Sequence, residues 1–180
     1  MSPTDPADVR CLCLDVDGVL TDGRIYIDDT GHRAREFHVH DGLAIRWYQK
    51  LGGVVAIITG KESGAVANRA QELGIEHVFQ GSQDKLADFQ CLMKRLELVP
   101  AQAAVIGDDL PDLAPLRACG YPIAVANAAK EVKAIARYVT ERPGGQGAVR
   151  DAVEHLVREA GRWKEVVERY ERSEESGKND

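Results

Sequence analysis

Short apolar runs alternate along the chain with longer stretches of helical pattern, and this alternation constrains the fold more than any other feature. The apolar runs occupy residues 11–16, 54–58, 103–106 and 123–125, with a shorter one at 137–139. The helical patterns occupy residues 43–51, 64–73, 85–96, 110–118, 128–135 and 148–170. Continuous apolar strands that alternate with helices are typical of parallel sheets covered on both faces. We therefore expect an α/β protein with a Rossmann-like, mainly parallel sheet and helices on both faces.

One further segment departs from this alternation. Residues 24–39 hold two arms of strand type, at 25–27 and 35–39, around the turn residues Asp28, Asp29, Thr30 and Gly31. This pattern predicts a β-hairpin after the first strand. The chain has 180 residues, close to the roughly 150 of a typical domain. We expect one domain over residues 1–172 and a polar C-terminal tail over 173–180.

Charge and cysteine content exclude several functional classes. The chain carries 23 basic and 29 acidic residues, a net charge of −6, which disfavours nucleic-acid binding. No apolar run approaches the ~18 residues of a membrane span, and residues 1–10 do not resemble a signal peptide. The four cysteines form no CxxC pair, as expected of buried thiols rather than a metal or disulfide framework. We therefore expect a soluble, cytoplasmic protein without membrane contact.

Small polar and acidic residues follow the predicted strands. Asp15 and Asp17 end the first strand, Thr59 and Gly60 follow the second, and Asp108 and Asp109 follow the third. In doubly wound sheets, ligands bind beyond the carboxyl ends of the strands, so these residues should meet in one cleft with Lys85. Singly, each carboxylate could be a solvated turn or cap residue. Together they predict a Mg²⁺ site that handles a phosphate group.

This arrangement suggests phosphoryl transfer through an aspartyl-phosphate. Asp15 would be the nucleophile, and Asp17 would protonate the leaving oxygen and later deprotonate water. Gly18 would permit the sharp turn between strand and loop. Thr59 would bind a phosphoryl oxygen, and Lys85 would neutralise negative charge. The predicted metal ligands are Asp15, Asp17 and Asp108, with Asp109 and Asp112 as further ligands or supporting residues.

Four motifs resemble those of the haloacid dehalogenase superfamily of phosphatases. They are Asp-Val-Asp-Gly-Val-Leu-Thr-Asp (15–22), Ile-Thr-Gly (58–60), Lys85 and Gly-Asp-Asp-Leu-Pro-Asp (107–112). More specific similarity lies in Phe-His-Val-His-Asp-Gly-Leu-Ala-Ile (37–45), Phe-Gln-Gly (79–81) and Gly-Gly-Gln-Gly-Ala-Val-Arg-Asp (144–151). These segments resemble a subfamily that hydrolyses phosphorylated eight- or nine-carbon keto-sugar acids in the synthesis of lipopolysaccharide precursors.

The resemblance implies further expectations. It implies a Mg²⁺-dependent phosphatase without a cap domain, which forms a homotetramer whose hairpins cover neighbouring active sites. It also implies substrate contacts by Gly18, Gly60, Lys61, His40 and Asp41. The chain differs from the subfamily at Lys61 and His40, where Arg is common, and at Asp151, where Glu is usual. An ammonium cannot replace a guanidinium fork, so the identity of the sugar stays open.

Several alternatives remain. His38 and His40 are alternate residues of a predicted strand and would share one of its faces. They could bind a metal, lie near the substrate or a subunit interface, or be ordinary polar residues of the hairpin arm. Arg24, Arg33 and Arg35 could be a solvated surface or a basic field for an anionic sugar. A non-catalytic oligomerisation module is disfavoured because every reacting residue is present. A phosphotransferase or mutase is disfavoured because it would need a cap, and a signalling receiver domain because of the hairpin and Asp15-x-Asp17.

Overall fold

The computed structural model describes residues 5–175. The strands are β1 (Cys11–Leu14), β2 (Tyr26–Ile27), β3 (Arg33–Ala34), β4 (Val54–Ile58), β5 (His77–Phe79), β6 (Ala103–Gly107), β7 (Tyr121–Ala124) and β8 (Tyr138–Val139). The α-helices are α1 (Val39–Lys50), α2 (Gly64–Leu73), α3 (Lys85–Arg95), α4 (Leu113–Ala118), α5 (Lys130–Ile135), α6 (Ala148–Glu159) and α7 (Trp163–Glu175).

Six strands form one parallel sheet in the order β5-β4-β1-β6-β7-β8. The central strand β1 is buried along its whole length, and Cys13 pairs with Ala56 of β4 on one side and Val105 of β6 on the other. From β1 the sheet grows outward through β4 and β5 on one side and through β6, β7 and β8 on the other. The carboxyl end of β1 is therefore the switch point at which such sheets bind ligands.

The helices cover the sheet as two groups. Helices α1 and α6 pack extensively against each other, while α3 and α5 both pack against α4. Apolar side chains such as Leu12, Phe89 and Leu156 are almost fully buried between the layers. The α/β fold with a parallel sheet and flanking helices is confirmed. No helix within residues 5–175 is long and apolar enough to cross a bilayer.

The predicted hairpin is present, but its second arm is Arg33–Ala34 and precedes the predicted arm at 35–39, which contains no strand. Strands β2 and β3 pair antiparallel, and the turn between them is held by the Asp28 carboxylate, which accepts hydrogen bonds from the backbone N–H groups of Thr30 and His32. The prediction that His38 and His40 share a strand face is wrong. His38 precedes α1 as its N-cap residue, and His40 lies in the first turn of that helix.

The single helix predicted over residues 148–170 is also wrong, because the chain divides into α6 and α7 there. Gly161 adopts a left-handed conformation with φ of +71°, and Arg162 N–H donates to the carbonyl of Val157. Glycine in this conformation ends a helix without steric penalty. Helix α7 continues to Glu175, into the stretch predicted as a tail, and residues 176–180 of that tail lie outside the described residues.

Candidate active site

The strand-end residues predicted to converge line one cleft at the carboxyl edge of the sheet. Asp15 follows β1, Thr59 and Gly60 follow β4, and Asp108 follows β6. The cleft is lined by Asp15, Asp17, Thr59, Gly60, Lys61, Lys85, Asp108, Asp109, Pro111 and Asp112. The loops that follow neighbouring parallel strands thus bring together groups that are distant in sequence.

Lys85, the first residue of α3, connects two of these carboxylates. Its Nζ lies 2.8 Å from Oδ1 of Asp15 and 2.7 Å from Oδ1 of Asp112, and its side chain is only 11% exposed. Burial opposes the charge of this ammonium, but the two carboxylates outweigh burial and raise the pKa of Lys85. Lys85 therefore remains charged and fixes the orientation of the Asp15 carboxylate.

Three carboxylates form a compact cluster that fits a hard divalent cation. Within residues 5–175, Asp15, Asp108 and Asp112 each offer an oxygen, and these oxygens lie within 4.8 Å of one another. Asp112 already accepts from Lys85 through Oδ1 and from the backbone N–H of Asp108, at 3.0 Å, through Oδ2. Asp15 and Asp108 thus have the more available oxygens, and Asp112 braces the loop that carries Asp108.

The pKa values of the cluster show the accumulation of negative charge. Burial, followed by the charge of Asp112, raises the pKa of Asp15 to about 6, although Lys85 opposes the rise. Burial and the charges of Asp15, Asp112 and Asp109 raise the pKa of Asp108 to about 7. A bound cation would relieve this repulsion, and carboxylate oxygens are preferred ligands of Mg²⁺.

Asp17 has a different environment from Asp15. Arg35 of the hairpin donates to both of its carboxylate oxygens, from Nε at 3.1 Å and from a terminal nitrogen at 3.3 Å. Nζ of Lys61 lies 3.4 Å from Oδ2. Burial opposes ionisation, but Arg35 and Lys61 prevail and lower the pKa of Asp17. Its carboxylate is not part of the three-carboxylate cluster, so its role as a metal ligand stays a prediction.

Gly18 is required where the loop after β1 passes the cluster. Its φ is +101°, and a Cβ built on it would lie 2.1 Å from Oδ2 of Asp108. The Gly-rich segment 144–147 presses on the other side of this loop, since a Cβ on Gly144 would lie 1.7 Å from the carbonyl oxygen of Gly18. A side chain at Gly18 would therefore displace the Asp108 carboxylate, and one at Gly144 would displace the loop that carries Asp15 and Asp17.

Of the residues predicted to bind substrate, Gly60 and Lys61 line the cleft, Gly18 lies in the adjoining loop without lining it, and His40 and Asp41 lie away from it. His40 is exposed on the first turn of α1, with its ring 5.0 Å from that of His38. Asp41 is only 1% exposed, and its Oδ1 accepts a 2.8 Å hydrogen bond from the backbone N–H of Arg150 near the start of α6. Asp41 therefore joins two helices beneath the Gly-rich segment. No sequence signal pointed to this contact, because the residues are far apart in the chain.

Comparisons with known proteins agree with this geometry. Residues 77–150 match the family model of haloacid dehalogenase-like hydrolases. The 3-deoxy-D-manno-octulosonate 8-phosphate (KDO 8-phosphate) phosphatase of Salmonella typhi is 40% identical over 163 residues, which cover 91% of this chain and 87% of the relative.

Two solved structures extend the comparison. The KDO 8-phosphate phosphatase of Moraxella catarrhalis, in complex with a magnesium ion, a phosphate ion and KDO, superposes with a TM-score of 0.90 at 37% identity and covers 92% of this chain and 95% of that one. The cobalt-bound KDO 8-phosphate phosphatase of Haemophilus influenzae superposes with a TM-score of 0.84 at 36% identity. The superposition covers 87% of this chain and 92% of that one. The chain belongs to the KDO 8-phosphate phosphatase family of haloacid dehalogenase-like hydrolases.

Proposed function

We propose that this protein hydrolyses KDO 8-phosphate to KDO and inorganic phosphate, with Asp15 as the nucleophile. The observation that carries the proposal is the environment of Asp15, which is buried at the end of β1, held by Lys85 and clustered with Asp108 and Asp112. The relatives named KDO 8-phosphate phosphatase support the substrate. The geometry disfavours a non-catalytic oligomerisation module, because such a module does not require three clustered carboxylates beside a buried lysine.

In the first step, an Asp15 oxygen attacks phosphorus and the bond from phosphorus to the sugar oxygen breaks. Arg35 and Lys61 lower the pKa of Asp17 in the substrate-free protein, so Asp17 must take up a proton when the substrate binds. It donates this proton to the leaving oxygen, so the sugar leaves as an alcohol. Lys85 keeps the attacking carboxylate in place, and Thr59, which is almost fully buried in the cleft, binds a phosphoryl oxygen. The product is an aspartyl-phosphate on Asp15.

In the second step, a water molecule attacks the phosphorus of the aspartyl-phosphate. Asp17, now a carboxylate, accepts the proton of the water, and the bond from phosphorus to the Asp15 oxygen breaks. Inorganic phosphate leaves, and both aspartates return to their initial states. Asp15 and Asp108 would hold Mg²⁺, with support from Asp112 and the predicted contributions of Asp17 and Asp109. The ion would neutralise the charge of the phosphoryl oxygens.

The proposed assembly is a homotetramer in which neighbouring subunits cover one another's clefts. The hairpin and the start of α1 expose Ile25, Ile27 and Val39, whose exposed fractions are 67%, 59% and 71%. Apolar side chains exposed together mark interaction surfaces. His40 lies beside this surface, so its proposed contact with substrate would cross a subunit boundary. Asp41, which is buried, would affect the substrate only by holding α6. We place the enzyme in the cytoplasm, where unpaired thiols such as Cys11 and Cys13 persist.

The length of the sugar is tested by comparing two substrates. Phosphate release from KDO 8-phosphate and from a nine-carbon keto-sugar acid 9-phosphate should be measured under identical conditions with Mg²⁺. A higher kcat/KM for KDO 8-phosphate supports the proposal. A higher kcat/KM for the nine-carbon substrate would instead assign the enzyme to a nonulosonate 9-phosphate, and Lys61 and His40 would then be the first residues to examine.

A further inference from the structure

Thr140, which follows β8, joins two loops without lining the active-site cleft. The residue is only 3% exposed. Its Oγ1 accepts a 3.0 Å hydrogen bond from the backbone N–H of Ala126, in the loop after β7, and donates a 2.6 Å hydrogen bond to the carbonyl of Arg142. The Ala126 N–H makes a longer hydrogen bond, of 3.4 Å, to the same carbonyl. The buried hydroxyl therefore holds the loop after β7 against the residues that lead into the Gly-rich segment 144–147.

Asn127 makes a second connection between the same two segments. It follows Ala126 in the loop after β7, and its Oδ1 accepts a 2.9 Å hydrogen bond from the backbone N–H of Gly144. Unlike Thr140, Asn127 is exposed, and it also lies outside the lining of the cleft. Two side chains, one buried and one exposed, thus bind the loop after β7 to the Gly-rich segment.

Each of the two connected segments also contacts a loop that carries active-site aspartates. At the end of the loop after β7, the backbone N–H of Ala129 donates a 2.7 Å hydrogen bond to the carbonyl of Asp108. In the Gly-rich segment, the N–H of Gly145 donates a 2.9 Å hydrogen bond to the carbonyl of Val19, in the loop after β1. Gly18 of that loop lies directly against the Asp108 carboxylate. These contacts close a ring of backbone segments that begins and ends at Asp108.

We propose that Thr140 and Asn127 are positioning residues, which set the place of the Asp108 carboxylate through the two segments they join. The inference rests on the proposed function, in which Asp108 binds Mg²⁺. Asp108 needs such support, because its carboxylate is clustered with those of Asp15 and Asp112, with oxygens within 4.8 Å of one another. Like charges at this distance repel. Residues that orient metal ligands from outside the coordination sphere contribute strongly to metal affinity.

The first test measures Mg²⁺ binding by calorimetry, with the metal alone and no substrate. Thr140→Val removes the hydroxyl and keeps the branched side chain, whereas Thr140→Ser keeps the hydroxyl. We expect the Kd for Mg²⁺ to rise about tenfold or more in Thr140→Val and to change less than about twofold in Thr140→Ser. Asn127→Ala should also weaken Mg²⁺ binding, because it removes the acceptor for Gly144. Wild-type affinity in either Thr140→Val or Asn127→Ala would overturn the proposal.

Tyr48→Phe is a control for loss of stability alone. The Tyr48 hydroxyl is also buried and donates a 3.2 Å hydrogen bond to the carbonyl of Val9, before the amino end of β1. Tyr48→Phe and Thr140→Val should both lower the midpoint of denaturant unfolding, but Tyr48→Phe should bind Mg²⁺ like the wild type. An equal loss of Mg²⁺ affinity in both would contradict the proposal. If Thr140→Val does not fold, Asn127→Ala, which changes an exposed residue, provides the test.

Phosphate release from KDO 8-phosphate at increasing Mg²⁺ separates this inference from the proposed function. In Thr140→Val we expect the half-saturating Mg²⁺ concentration to rise about tenfold, with KM for KDO 8-phosphate changed less than about twofold. Excess Mg²⁺ should restore most of kcat. Loss of Mg²⁺ affinity by calorimetry, without phosphate release even by the wild type, would refute the proposed function and leave the positioning role intact. Release by the wild type with an unchanged Mg²⁺ requirement in Thr140→Val would refute the positioning role alone.

Discussion

The aspartates of the cleft differ in protonation and in hydrogen bonding because their surroundings differ. Asp15 is buried beside other carboxylates, which favours the neutral acid until a cation binds, whereas Asp17 is held ionised by Arg35 and Lys61. Asp112 uses both oxygens to brace its neighbours. The strand-end aspartates could be predicted from sequence because each follows an apolar strand. The pairing of Arg35 with Asp17 could not, because it depends on how the hairpin folds over the cleft.

Metal-free protein should become less stable as pH rises through the range in which the cluster ionises. A carboxyl group whose pKa is raised on folding favours the folded state only while protonated. The free energy of unfolding should therefore fall between the ordinary pKa of 3.8 and the values of about 6 for Asp15 and about 7 for Asp108. Denaturant titrations across this range, without metal, measure the effect.

Variants and added metal test the cause of this pH dependence. Asp108→Asn cannot ionise at that position, so its stability should fall less steeply over the same range, and excess Mg²⁺ should flatten the wild-type profile. Identical slopes for the wild type and Asp108→Asn without metal would show that the cluster is not the source.

Gly18→Ala should weaken Mg²⁺ binding as well as the fold. The new Cβ would meet Oδ2 of Asp108 at 2.1 Å in a backbone conformation with φ of +101°. Gly31→Ala is a matched control, because Gly31 has a φ of +81° and nothing within 4 Å of the added atom. Both variants should lose about 1 kcal/mol of stability from backbone strain. Only Gly18→Ala should also lose Mg²⁺ affinity, measured by calorimetry, and equal affinities in the two variants would contradict the close approach.

At the level of elements, the N-terminus of α6 is capped by a residue from another helix. Gly147 is the N-cap residue of α6 and has no side chain to accept a hydrogen bond. The Asp41 carboxylate supplies that acceptor from the first turn of α1, through the backbone N–H of Arg150. This contact fixes the start of α6, which follows the Gly-rich segment packed on the loop after β1.

Asp41→Ala should therefore destabilise the protein by about 1–2 kcal/mol, the usual effect of removing a capping acceptor. Asp41→Asn keeps a side-chain oxygen at the same place and should lose clearly less. Denaturant unfolding of both variants gives the two free energies. If Asp41→Asn is as unstable as Asp41→Ala, the charge of the carboxylate, and not its hydrogen bond, holds the helices together.

The two errors in predicted elements have physical causes at this scale. Alternating residues before Asp41 suggested a strand that reaches Val39, but the chain starts α1 at Val39 because α1 packs on α6. The helical periodicity of residues 148–170 continues across Gly161 and conceals the left-handed turn that separates α6 from α7. The strands of the sheet were easier to predict, because burial on both faces leaves continuous apolar runs.

For the whole molecule, the main consequence is an open cleft at the carboxyl edge of the sheet. The residues between the first motif and α1 form only the short hairpin of β2 and β3, which exposes apolar side chains. In an isolated subunit, the proposed aspartyl-phosphate would be open to bulk water on one side. We therefore expect a neighbouring subunit to close the site. Light scattering should give a mass four times the 19.7 kDa of one chain, and a fully active monomer would contradict this assembly.

If the proposed tetramer forms through the hairpin, Ile27→Asp should dissociate it and lower kcat/KM, because the substitution places a charge on the exposed hairpin surface. Val99→Asp is a matched control, since Val99 is 58% exposed and Ile27 is 59% exposed, and it lies outside the hairpin. Size-exclusion chromatography coupled to light scattering should show a change only for Ile27→Asp. An intact tetramer in both variants would place the interface elsewhere.

The most direct test of the account is phosphate release from KDO 8-phosphate by the wild type and by Asp15→Asn, each with Mg²⁺ and with a chelator. We expect one phosphate per substrate with the wild type and Mg²⁺, little release with the chelator, and a loss of about 10⁴-fold or more in kcat for Asp15→Asn. No release by the folded wild type with Mg²⁺, or full activity in Asp15→Asn, would contradict it.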